Sequence, residues 1–210
     1  MSDGHKMEIR DHALMYALLA RRISDVLPEN EAQTLIRDIT VLYGHKRGQR
    51  MRRKADAAQE TANLAAYLIH GEWKGREGEN ESTMEYGENE TYSSVTKCAW
   101  YETWKEYGLL PYGTFYCRYI DEALCEGFDG SFSLEIPATM AKGDPRCLFK
   151  WSEAADGQFV KDEKQRLKDT YILPFDFHVN ELLECARQVL KEKGMEYLVR
   201  EAFQEYKKLA

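Results

Sequence analysis

Apolar residues recur every three or four positions at both ends of this chain and every second position near its middle. A chain written with those two periods folds as helices at its ends and a small sheet between them. From about residue 6 to 26, Ile9, Ala13, Tyr16, Ala20 and Ile23 form one stripe, continued by Leu27 and stopped by Pro28. A second helix over about 31–54 carries Ala32, Leu35, Ile36, Ile39 and Tyr43. A third covers about 59–70 and ends at Gly71. Residues 71–90 are polar and Gly-rich and read as loops around one short edge strand. Residues 92–98 alternate as a Ser-rich, β-branched strand. A short helix over 100–107 is closed by Gly108, and a longer one over about 111–126 ends near Gly127. Phe132, Leu134 and Ile136 alternate inward along a strand, Gly143-Asp144-Pro145 turns, and 147–151 is its antiparallel neighbour. Residues from about 180 to 208 are helical again, with a break at Gly194. The expected class is α+β: helical N- and C-terminal parts (about 1–70 and 178–210) around a small, mainly antiparallel central sheet. The mixed centre covers about 82–155, and the whole is expected to form a single domain.

Composition narrows the function classes. Charged residues are 31% of the chain and the net charge is −7, which works against non-specific binding to nucleic acid or to an anionic membrane surface. No run approaches the ~18 apolar residues of a membrane helix. The first residues, Met1-Ser2-Asp3-Gly4-His5-Lys6, lack the apolar run of a signal peptide, so a soluble, cytoplasmic protein is expected. The five cysteines are odd in number and spaced by 19, 8, 22 and 38, which gives no disulfide framework. There is no CxxC pair, and a site built from Cys98, Cys117 and Cys147 matches no standard ligand spacing; no metal is expected. The expected partner is a small-molecule substrate, and a homo-oligomer is compatible with the sequence.

Three places could carry chemistry. In Tyr116-Cys117-Arg118-Tyr119-Ile120-Asp121, the thiol and the carboxylate stand four apart beside the stripe Tyr116, Ile120, Ala123 and Leu124. A thiol near the start of a helix is favoured as thiolate, and a neighbouring carboxylate can take a proton or hold a cation. The plain alternative is a small core residue beside a surface carboxylate. The stripe of the second helix, extended past Tyr43, reaches Arg47, Arg50 and Met51, with Gly44 and Gly48 alongside. Glycine weakens a helix by about 1 kcal/mol relative to alanine, so two of them imply a close approach or a bend. Arg47 offers a rigid fork for a carboxylate, while Lys46, Arg52, Arg53 and Lys54 read as a solvated basic face. Asp144 and Cys147, around Pro145, read first as a turn and the start of a buried strand. His70 and His178 have no partner visible in the sequence and read as structural.

Taken in order, 43–51 (Tyr-Gly-His-Lys-Arg-Gly-Gln-Arg-Met), Gly71-Glu72-Trp73, 116–123 and Gly143-Asp144-Pro145-Arg146-Cys147 resemble the L-2-amino-thiazoline-4-carboxylic acid hydrolase family. The resemblance spans roughly residues 36–151. It implies a hydrolase that opens a thiazoline ring to give N-carbamoyl-L-cysteine. The centre is also similar to small-molecule-binding domains of the vinyl-reductase type, which implies a sensor or carrier without catalysis. Under the hydrolase reading, Cys117, Asp121 and Asp144 are the expected catalytic residues. Arg47, Arg50, Tyr116 and Cys147 are the expected substrate-binding residues, and no cofactor is needed. The carbon under attack is flanked by sulfur and two nitrogens and is cationic when protonated, so a carboxylate beside it is stabilising. Water or the Cys117 thiol adds, and the ring thiolate leaves.

Overall fold

A computed structural model of the chain describes residues 6–209. Its elements are α1 (Ile9–Val26), α2 (Glu29–Ala57), α3 (Leu64–Ile69), β1 (Glu81–Tyr86), β2 (Thr91–Lys97), α4 (Ala99–Glu106), α5 (Leu110–Phe128), β3 (Leu134–Ala138), β4 (Cys147–Trp151), α6 (Gly157–Leu167), α7 (Phe175–Lys191) and α8 (Tyr197–Leu209). The class is α+β, with helices before and after one antiparallel sheet of order β1-β2-β4-β3. Contacts group the chain into two units. Of the described residues, one takes 6–43, 98–119 and 174–209; the other takes 44–97 and 120–173. Among the described residues, no helix is long and apolar enough to cross a membrane.

The first unit is built on α1, which packs against α4, α7 and α8. Its stripe is buried from Ile9 to Ile23. Several polar side chains in this core join a directed chain of hydrogen bonds. The Trp100 indole N–H donates to Nδ1 of His12 at 3.1 Å, so in the neutral ring Nε2 carries the proton. Nε2 then donates to the Tyr43 hydroxyl at 3.2 Å, and that hydroxyl faces Nδ1 of His178 at 3.4 Å. His178 thus has a partner 135 residues away, out of reach of any local pattern. The Trp104 indole donates to the Ala13 carbonyl at 2.8 Å, and Gly113 is needed where a Cβ would run into the Trp104 ring.

The second unit holds the sheet, the later halves of α2 and α5, and α3 and α6. Its core includes Met51, Ala55, Leu64, Tyr67, Phe128, Phe132, Trp151 and Val160. Gly44 and Gly48 leave α2 unbroken. A Cβ on Gly44 would lie 2.7 Å from the Ala123 Cβ, and one on Gly48 would overlap the Leu124 carbonyl. From the α5 side, a Cβ on Gly127 would lie 2.5 Å from the His45 carbonyl oxygen. The glycines therefore serve a close approach of two helices, and α5 ends at Phe128, one residue past Gly127, as expected.

Elsewhere the structure differs from the periodic reading in identifiable ways. The third helix starts only at Leu64, because Gln59 is left-handed (φ 58) and Asn63 caps the new helix by accepting from the Ala66 N–H at 3.0 Å. β3 begins two residues later than expected. Phe132 is committed to the helical core, with its ring 5.2 Å from that of Tyr67. Helix α6 has no counterpart in the sequence reading. Its start is marked by Asp156, which accepts from the Gln158 and Phe159 N–H groups, but only Val160 on it is buried, so it lacks an apolar stripe. Cys147 is half-buried, not fully buried, since it opens β4 at the sheet's margin.

The helix contact yields a stability prediction. Gly48→Ala has the higher helix propensity, yet it must push backbone against backbone. A loss of about 3 kcal/mol is expected, measured by urea unfolding, where propensity alone would give a gain of about 1 kcal/mol.

Candidate functional site

Arg47, Arg50 and Lys54 stand three and four apart on α2 and so share one face. Against that face lies Glu72, whose side chain is wholly inaccessible to water. Arg50 grips it with both arms of its fork, Nε to Oε1 at 2.9 Å and Nη2 to Oε2 at 2.9 Å. Lys54 Nζ donates to Oε1 at 2.9 Å and to the Tyr171 carbonyl at 3.2 Å. Arg47 is looser: its Nε is 3.8 Å from Oε2, and its guanidinium lies 3.7 Å from the centre of a Trp73 ring. Stacking on an aromatic plane holds a guanidinium flat while leaving its edge for hydrogen bonding.

Asp121 is on α5 in the same unit. It is half-buried, and among the described residues it makes no hydrogen bond or ion pair. Loss of water pushes its pKa up to about 6; the Arg47 charge pulls the other way and the Glu122 carboxylate adds to the rise. One turn on, burial pushes the Cys125 thiol up to about 12, and the Tyr67 and Trp151 side chains are beside it. Tyr67 is raised as well, by burial first. At neutral pH Asp121 is the group of this cluster poised to exchange a proton, whereas Cys125 is a neutral thiol.

The expected site residues fall into distinct settings. Arg47 is buried on the extended stripe, as its position on α2 implies. Arg50 lies beside it, but its fork is occupied by Glu72. Lys54 belongs to the same cluster and not to a solvated face. Asp144 accepts from the Thr139 N–H at 2.8 Å and so fixes the turn before β4. The Cys147 sulfur accepts from the Met140 N–H at 3.4 Å and lies 3.6 Å from the Thr139 hydroxyl. Tyr116 and Cys117 belong to the other unit. Tyr116 is packed among Tyr16, His12 and Trp104, with ring centres 4.9, 5.6 and 6.2 Å away. Cys117 is half-buried on α5, one turn before Asp121. All five cysteines are free, and among the described residues no group of three or more His, Cys, Asp or Glu is placed to hold a metal ion. His70 is buried with Nε2 2.7 Å from Glu60. Glu72, Trp73, Tyr67 and Cys125 were given no role by the sequence reading. Two arginines on a buried stripe demand a buried carboxylate, and that demand was the available signal for Glu72.

The structure thus defines an α+β protein with a buried carboxylate–guanidinium cluster and a half-buried aspartate whose pKa is raised by loss of water. The sequence pattern of the L-2-amino-thiazoline-4-carboxylic acid hydrolase family matches residues 7–151, and the chain belongs to that family. Neither the curated proteins nor the solved structures give a match.

Removing one partner of a buried ion cluster strands the others. Glu72→Ala is expected to lower unfolding free energy by about 3–5 kcal/mol in urea titrations, against less than about 1 kcal/mol for removal of an exposed pair such as Lys74–Asp169.

Proposed function

We propose that this chain is a hydrolase that opens a small cyclic amidine-like ring, of the kind in L-2-amino-thiazoline-4-carboxylic acid, to N-carbamoyl-L-cysteine. The observation that carries the reading is Asp121: a half-buried carboxyl with no protein hydrogen bond and a pKa near neutrality, in the field of one buried arginine. Such a group is destabilising unless a ligand uses it. The substrate is dipolar, with a carboxylate at one end and an amidine-like carbon at the other. Arg47 suits the first and Asp121 the second. The family membership of residues 7–151 supports the same substrate class.

In this scheme the ring is bound as its cation, protonated on the ring nitrogen; the Asp121 carboxylate takes a proton from water as the water oxygen bonds to the carbon between sulfur and nitrogen, and the carbon–nitrogen π pair moves onto that nitrogen. The tetrahedral centre collapses, the carbon–sulfur bond breaks, and the sulfur leaves as thiolate. Asp121 returns its proton to that sulfur, and loss of the hydroxyl proton completes the carbamoyl carbonyl. Ring, water and product balance without an oxidant or a cofactor. Cys117 is the alternative nucleophile; its sulfur would add first and water would release it.

Released thiol is the direct assay. Turnover is expected to rise with pH through about 6, as Asp121 ionises, and Asp121→Asn is expected to lower it by roughly 10²–10⁴-fold. The same variant should be more stable. A carboxyl whose pKa is raised by folding stabilises the protein below its unfolded pKa and loses that contribution as pH rises through about 6. Asn avoids the penalty, so a gain of about 1–3 kcal/mol is expected at pH 8, vanishing below about pH 4. Saturable binding of the thiazoline without turnover in the unaltered chain would favour a sensor of vinyl-reductase type. Cys117→Ala retaining turnover within tenfold would place water as the nucleophile.

A further inference from the structure

The segment after α3 and the end of α6 form an open pocket of about 540 Å³. Leu68, Ile69 and Leu167 give it an apolar lining, and Trp73 and Tyr171 add two aromatic rings. Three lysines, Lys74, Lys164 and Lys168, also line it. Lys74 is paired with Asp169 at 2.6 Å, but Lys164 and Lys168 enter no ion pair among the described residues.

We propose that this pocket binds a planar aromatic anion, its ring against Trp73 and Tyr171 and its negative charge on Lys164 and Lys168.

Three observations converge on that class of ligand. The volume suits a molecule of mononucleotide size. The two rings are held in advance: Trp73 is stacked with Arg47 at 3.7 Å, and Tyr171 has Lys54 Nζ 5.3 Å from its centre and the His70 ring at 4.7 Å. Rings already ordered lose little freedom when a ligand stacks on them. Lys168 sits at φ 50, ψ −125 at the end of α6, a conformation natural to glycine and strained for lysine. Its side chain is therefore present where the backbone alone would favour none.

Neither Asp121 nor Arg47 lines this pocket, so the proposal does not rest on the hydrolase reading. Trp73 is the shared residue, lining the pocket while stacked on Arg47. Occupancy is thus felt at the arginine through one ring.

The test uses three matched probes and no turnover: 1-naphthalenesulfonate, its neutral counterpart 1-naphthalenemethanol, and the ring-free methanesulfonate. The full chain is labelled with ¹⁵N at its four tryptophan indoles, the Trp73 signal is assigned with Trp73→Phe, and affinities are taken from calorimetry. Naphthalenesulfonate is expected to shift the Trp73 signal saturably and to bind at least tenfold tighter than either counterpart. The exposed double variant Lys164→Gln/Lys168→Gly, whose glycine suits the local backbone, is expected to lose at least tenfold in affinity. Equal binding of the neutral ring would leave only an apolar pocket, and equal binding of methanesulfonate only a basic patch. Full affinity in the double variant, or no movement of the Trp73 signal, would put the anion elsewhere. Each of those results overturns the proposal.

Discussion

A carboxylate shut off from water organises the sheet-bearing unit. Burying such a charge is prohibitive unless cations and hydrogen bonds surround it. Glu72 meets that requirement with donors from one face of α2, Arg50 and Lys54 in direct contact and Arg47 at longer range. The backbone joins in: the Glu72 carbonyl accepts from the Leu173 N–H at 3.0 Å, and Lys54 also holds the Tyr171 carbonyl. One side chain thereby ties together α2, the segment after α3 and the segment after α6. Neither segment is helix or strand, so the ion cluster holds them where no regular hydrogen-bond ladder does. Trp73, next in sequence to Glu72, is delivered to Arg47 as a consequence.

The second constraint is the contact of α2 with α5. Gly44, Gly48 and Gly127 let the two backbones approach to a distance that any Cβ would forbid. Arg47 and Asp121 ride on these same stretches, so the glycines fix how strongly the guanidinium acts on the carboxyl. The contrast between the two acids of the unit is one of partners. Glu72 is given three cations, while Asp121 is given a distant one and, among the described residues, no hydrogen bond. A fold that satisfies Glu72 so fully and leaves the half-buried Asp121 so poorly served has forgone stability at the second position.

Much of this was legible in the sequence because it is periodic. The stripes of α1 and α2, the limits of β4, the α7–α8 break at Gly194 and the burial of Arg47 follow from spacing alone. The class follows too, since helical and alternating runs occupy separate stretches. What was not legible depends on partners distant in sequence or on capping. Glu72 lies in a polar, Gly-rich stretch that looks like any loop, and its importance comes from residues 18 and 22 positions earlier. Helix α6 is nearly all polar, and only Asp156 betrays its start. Asp144 was read both as a turn former and as an acid; the hydrogen bond to Thr139 shows the turn role directly. The high pKa of Asp121 is invisible to spacing, because it arises from how much protein surrounds the carboxyl.

That surrounding protein also bears on which nucleophile the Asp121 face can support. Thiol attack requires thiolate, and thiolate requires positive charge or solvation. Cys125, one turn beyond Asp121, has neither: burial dominates, and the carboxylates of Asp121 and Glu122 each raise its pKa further, outweighing the hydroxyl of Tyr67 and the indole of Trp151. The coupling runs both ways in principle, since an anion on either group disfavours an anion on the other. An environment arranged like this keeps sulfur protonated while bringing a carboxyl close to neutrality.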